Sequence, residues 1–95
     1  MCTRYSLTSP PEAVRSYFGV GNGPEFPPRY NIAPTQPVII LRLDYKGERE
    51  LTLVRWGLVP SWVRKPAEFT TLVNARAESA AEKPSFRAAL RHRRC

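Results

Sequence analysis

The chain has 95 residues and carries 15 Lys+Arg against 8 Asp+Glu, a formal net charge of +7 at neutral pH. A chain of this length forms one domain or part of one, and burying only about 60–65% of its unfolded surface leaves it a small core. A hydrophobic content of 42% excludes a disordered chain. The longest aliphatic run, Val38-Ile39-Ile40-Leu41, excludes a membrane-spanning helix. No apolar run follows Met1-Cys2-Thr3-Arg4, so no secretory signal is expected and the compartment reads as cytoplasm.

In chain order, residues 2–7 predict a short N-terminal strand. Ser9-Pro10-Pro11-Glu12 reads as a helix start, with Ser9 as N-cap, proline in the first turn and Glu12 closing a capping box. Val14, Tyr17 and Phe18 follow at helical spacing, and Gly19 and Gly21 end the helix. Residues 21–37 hold five prolines and read as loop. Residues 38–43 predict a buried strand, 44–47 a turn, and 48–56 a second strand, together a β-hairpin. Leu51 and Leu53 share one face of that second strand, and Thr52, Val54 and Trp56 the other. Gly57 and Pro60 break it and put Trp62 in a loop. Leu72-Val73 is a strand at most, residues 75–82 a helical turn, and residues 85–91 a short helix. No βαβ alternation occurs, so the class is α+β, β-rich, with antiparallel sheet.

The charge is uneven. Residues 1–47 hold five basic and three acidic side chains, whereas residues 48–95 hold ten and five. Twelve of the 15 cations are arginines, whose forked donors suit phosphate, so nucleic acid is the first candidate partner. The bland alternative is a solvated surface with a basic tail. Two cysteines, Cys2 and Cys95, and one histidine, His92, are too few for a tetrahedral zinc site, so no metal or cofactor is expected. A reducing compartment also argues against a Cys2–Cys95 disulfide.

Cys2 is the most informative position. Removal of Met1 would expose an amine and a thiol on adjacent carbons, a pair that no internal cysteine has. An α-amine titrates near ~7.7–8.0, so a useful fraction is neutral at physiological pH. The neutral amine condenses with an aldehyde to an imine, and the thiol closes on that carbon to give a five-membered thiazolidine. The same residue could serve as an acyl-transfer nucleophile with its own amine as base. Against both stands the reading of Cys2 as a small hydrophobe.

Five blocks in register carry a resemblance: Met1-Cys2-Thr3-Arg4-Tyr5, Arg29-Tyr30-Asn31-Ile32-Ala33-Pro34-Thr35-Gln36, Arg55-Trp56-Gly57-Leu58-Val59-Pro60-Ser61-Trp62, Asn74-Ala75-Arg76-Ala77-Glu78, and Pro84-Ser85-Phe86-Arg87 with Arg93-Arg94-Cys95. Together they resemble the SRAP family (SOS response-associated peptidases). The resemblance implies a barrel-like antiparallel sheet with short peripheral helices, residues 1–95 being the N-terminal portion of a single such domain. It implies a sensor of abasic sites in single-stranded DNA, cross-linked to the lesion through Cys2 and associated with the nucleoid, with autopeptidase removal of Met1.

Carried over by position, Cys2 is the nucleophile and Asn74 resembles the asparagine that positions sugar and amine. Arg4 and Arg76 resemble phosphate contacts, and Pro34 and Trp62 a wedge that stacks beside the missing base. Trp56 reads as core, and Glu78 and Arg87 as structural, a candidate pair. The chain has Thr3 where the family usually has glycine, and Val63 where a second aromatic often follows Trp62. The glutamate and histidine that the family uses to move protons belong to later blocks; neither His92 nor Glu78 takes their place. The expectation is therefore impaired reactivity, with self-association or a missing C-terminal half completing the fold. Two other readings stay open: a non-catalytic single-stranded nucleic-acid-binding module, and an N-terminal-nucleophile amidohydrolase.

Overall fold

The computed structural model describes residues 2–95, which gather into two compact units. One holds Thr3–Trp56 with Cys95; the other holds Gly57–Arg94 with Cys2.

The first unit contains all the ladder-forming strands. β1 (Tyr5–Leu7) pairs antiparallel with β2 (Arg29–Ile32), and β3 (Pro37–Leu43) pairs antiparallel with β4 (Arg49–Arg55). β3 begins with β-branched residues, Val38-Ile39-Ile40, whose stiff side chains favour a pleated strand. The hairpin register runs from Pro37 opposite Arg55 to Leu43 opposite Arg49. Its turn is fixed locally: the Asp44 carboxylate accepts from Lys46 N (2.8 Å) and Glu48 N (3.0 Å). Gly47 takes φ 80°, a conformation that costs glycine little.

Between β1 and β2 in the chain, α1 (Pro11–Phe18) ends at Gly19, φ 68°. Gly19 N donates to Ser16 O and Val20 N to Arg15 O, the paired bonds of a Schellman stop. The start differs from the predicted capping box. The helix begins at Pro11 with extended Pro10 before it, and no side chain caps it, so Ser9 is not the N-cap. Pro11 disfavours a helical ψ at the residue before it, so Pro10 stays extended (ψ 157°) and the helix starts one residue later.

Residues 21–37 correct the loop reading, because Arg29–Ile32 form a strand in their midst. The prolines flank β2 rather than occupy it. Ile32 on β2 is 2% exposed and, with Val38 and Leu51 at 7% each, makes the buried apolar core. Complete burial of such a side chain stabilises by about 1.5–3 kcal/mol. Leu53, on the same face as Leu51, is 48% exposed, so only part of that face is covered.

The second unit is mostly irregular. It contains one isolated bridge, Leu58 to Leu72, a single 3-10 turn at Pro66–Glu68, a run of turns over residues 77–82, and α2 (Pro84–His92). The expected helix at 85–91 is present and one residue longer at each end. The architecture is α+β as expected, but the barrel-like sheet is not found. The described residues form two separate two-stranded sheets, because no strand bonds to both ladders.

Candidate functional site

The site residues of the second unit depend on a close backbone approach. Leu58 N donates to Leu72 O (2.8 Å) and Leu72 N to Leu58 O (3.3 Å). Gly57 precedes this bridge at φ 143°, and a Cβ there would collide with the Thr71 methyl. Glycine is therefore required twice at one position, by dihedral and by space. Two residues beyond the bridge, Asn74 is half-buried. With Ala75, Arg76, Ser79, Lys83 and Phe86 it lines a pocket of about 180 Å³. Cys2 belongs to this unit and presents an exposed, unbridged thiol, but it is not among the residues lining that pocket. Cys95 is also a free, exposed thiol.

Trp62 sits in a four-residue turn closed by Val63 N donating to Pro60 O (3.1 Å). Its side chain is 57% exposed, which leaves an aromatic surface in water. Trp56, by contrast, is half-buried and meets Tyr5 edge to face, with centroids 5.3 Å apart. The two tryptophans thus divide as their sequence contexts predict: one packs and one stands out. Burial pushes the Tyr5 phenol above its ordinary pKa, and the Arg29 guanidinium opposes that shift.

Pro34 lies in the first unit, in a turn closed by Gln36 N donating to Ala33 O (3.2 Å). Thr35 follows it at φ 74°, where the third position of a type II turn normally holds glycine or asparagine. A β-branched residue in that region costs about 1–3 kcal/mol, so the surroundings must hold it. They do so at several points. Thr35 N donates to Trp56 O (2.8 Å), and Trp56 N donates to Gln36 O (3.0 Å). Gln36 Oε1 accepts from Ala33 N (2.9 Å) and from Arg29 Nη2 (2.7 Å), while Arg29 Nη1 bonds Pro37 O. Gln36 and Arg29 escaped the sequence reading as position-holding residues. Their only signal was membership of the same block as Pro34.

Arg4 is exposed and its Nη1 donates to Thr3 O (3.0 Å). Among the described residues, two ion pairs lie in the first unit: Arg15 with Glu25 (3.4 Å) and Arg42 with Glu50 (2.7 Å). Among the described residues of the second unit no ion pair forms, so Arg76 and Lys83 have no carboxylate partner. Glu78 and Arg87 are likewise unpaired, which corrects their reading as a pair. His92 lines a groove on α2 with Arg87, Arg91 and Arg94 and is not among the residues that line the Asn74 pocket. No group of three His, Cys, Asp or Glu among the described residues could hold a metal ion.

The sequence comparisons match this geometry to a family. The family model described as SOS response associated peptidase (SRAP) covers residues 1–95. The chain belongs to the SRAP family. Among curated SRAP relatives, the abasic site processing protein YoqW of Bacillus subtilis is 37% identical, over the whole of this chain and 43% of its own length. The abasic site processing protein HMCES of Rattus norvegicus is 38% identical over 72% of this chain and 22% of its own. A crystal structure of a protein from Bordetella bronchiseptica superposes with a TM-score of 0.68 at 32% identity, over 93% of this chain and 43% of that one. The chain therefore spans less than half the length of these SRAP relatives. No described helix is long and apolar enough to cross a membrane.

Proposed function

We propose that this chain processes abasic sites in single-stranded DNA by trapping the opened sugar on Cys2 once Met1 has been removed. The observation that carries the reading is the exposed Cys2 thiol at the second position of a chain whose relatives are named abasic site processing proteins. Met1 itself lies outside the described residues.

The chemistry balances without a co-reactant. Hydrolysis of the Met1–Cys2 peptide bond frees the α-amine. The amine adds to the C1′ aldehyde of the ring-opened sugar, and loss of one water gives an imine. The Cys2 sulfur then attacks the imine carbon and the thiol proton passes to nitrogen, closing a thiazolidine. The product is protein plus DNA less one water. Asn74 can donate its amide N–H₂ to the sugar or accept from the amine through its carbonyl. The pocket that Asn74 lines holds no carboxylate or imidazole. The residues on hand thus position the reactants without moving protons, and general acid–base help of about 10²–10⁴-fold comes from outside this pocket. Pro34 and Trp62 each serve as a stacking group, and one base on an aromatic ring contributes about 1–3 kcal/mol regardless of sequence. The fold that performs this is the N-terminal portion of a single SRAP domain, completed by the remaining half or by self-association. A nucleoid-associated, cytoplasmic setting follows from the substrate.

The test uses protein that begins at Cys2, incubated with a single-stranded oligonucleotide carrying one abasic site and then run on a denaturing gel. The expected result is a shifted band with the mass of protein plus DNA less one water, absent with Cys2→Ala. No band, or a band that survives Cys2→Ala, overturns the reading. Salt-sensitive binding without any band would favour a non-catalytic binding module instead.

A further inference from the structure

The pocket beside Asn74 has a chemistry of its own. Arg76 N-terminal to the turns and Lys83 at the start of α2 both line it, with Ser79 between them. The backbone explains why these three share a side. Ala80 N donates to Arg76 O (2.9 Å), Lys83 N to Ser79 O (3.0 Å) and Arg87 N to Lys83 O (2.9 Å). The first two close turns that precede α2, and the third opens α2 after the extended Lys83 (ψ 132°). These turns bring Arg76, Ser79 and Lys83 to the lining of one pocket, although no continuous helix joins them. The intervening acids, Glu78 and Glu82, neither line the pocket nor pair with a cation among the described residues.

Two cations without carboxylate partners thus border one small cavity, together with a hydroxyl, an amide and the ring of Phe86. The cavity's size narrows the occupant. Pockets for drug-sized ligands run to about 300–1,000 Å³. A cavity of about 180 Å³ lies below that range and matches a phosphate with part of its sugar.

We propose that this pocket is a phosphodiester subsite, in which Lys83 and Ser79 join Arg76 in holding one backbone phosphate of the strand while Phe86 lies against its sugar. Lys83 supplies a point charge and Arg76 a planar fork, so one can neutralise while the other orients. Ser79 donates its hydroxyl proton to a phosphate oxygen. The proposal deepens the DNA reading above and rests on it for the identity of the strand, but it does not involve Cys2.

The decisive measurement is the salt dependence of binding to an undamaged oligothymidylate, which requires no cross-link. For single strands, log K falls with log salt at about 0.7 per phosphate neutralised. Lys83→Ala should therefore shallow the slope by about 0.7, Lys83→Arg should restore it, and Ser79→Ala should weaken binding without changing the slope. Inorganic phosphate at constant ionic strength should compete only weakly if the subsite takes a phosphodiester within a strand. Strong competition would show a free-anion site and overturn the proposal. So would a slope unchanged in Lys83→Ala, or the same loss in both Lys83 variants. Because the oligonucleotide carries no lesion, a slope change survives even if the Cys2 cross-link fails, and the two readings can fall separately.

Discussion

The unit of Thr3–Trp56 and the unit of Gly57–Arg94 with Cys2 are built on opposite principles. The first holds both strand ladders, the buried aliphatic residues Ile32, Val38 and Leu51, and the two ion pairs found among the described residues. The second holds one isolated bridge and turns, yet it contains Cys2, Asn74, Arg76 and exposed Trp62. Its eight Lys and Arg face three Glu with no ion pair formed among the described residues. One unit spends its sequence on burial and pairing. The other leaves its charge without ion pairs among the described residues, which is the state in which side chains remain available to a ligand. Binding groups concentrate on irregular segments for this reason.

That contrast can be broken most forcefully in the core. Leu51→Ala removes a side chain that is 7% exposed and should destabilise by about 2–5 kcal/mol. Leu53→Ala on the same strand face, at 48% exposure, should cost far less in the same urea titration. Equal losses would show that the two-sided hairpin is not packed as described.

In the second unit the sensitive point is a glycine. Gly57→Ala places a Cβ against Thr71 and forces φ 143° on a residue that disfavours it. The loss should exceed about 1 kcal/mol. Gly57→Ala combined with Thr71→Ser, which removes the colliding methyl, should recover part of it; a melt with no recovery would assign the whole effect to the backbone.

A smaller effect separates the brace of the Pro34 turn from the turn itself. Gln36 acts there only as an acceptor, so Gln36→Glu should preserve both bonds and Gln36→Ala should lose about 1 kcal/mol in stability. Affinity for single-stranded DNA should fall in Gln36→Ala and return in Gln36→Glu. If Gln36→Ala binds as tightly as the parent, the brace does not position Pro34.

The smallest effect is electrostatic. The folded-state pKa of Tyr5 is raised, so its stabilising share is complete below the unfolded value of about 10 and lost as pH climbs through the folded value. Stability should therefore decline at alkaline pH, and Tyr5→Phe should flatten that decline. An unchanged alkaline slope in Tyr5→Phe would assign it to other groups.

Much of this was legible in the residues. The β3–β4 hairpin followed from the aliphatic run after Pro37, the turn at Asp44-Tyr45-Lys46-Gly47 and the polar–apolar alternation after it, and α2 was expected over residues 85–91. Strand β2 was not legible, because Arg-Tyr-Asn-Ile among prolines has no strong strand period and forms only by pairing with β1. The barrel failed for a related reason: sheet closure depends on which strands bond to which, and no local pattern encodes that. Of the site, Cys2, Asn74, Arg76 and Trp62 were read from motif blocks. Lys83, Ser79 and Gln36 were not, since their neighbours become visible only in space.

By itself, then, the sequence determined what is local: the turn chemistry of Asp44 and Gly47, the αL stop at Gly19, the hairpin, and the amine–thiol potential of a cysteine placed second. It also carried the family, through short blocks whose order is linear. Tertiary structure alone decided which apolar residues are buried, that Thr35 is held left-handed by Gln36 and Trp56, and that Arg76 and Lys83 border one pocket. Local features arise from dihedral preferences and bonds a few residues apart, whereas burial and charge clustering depend on distant segments meeting. Only the folded chain brings those together.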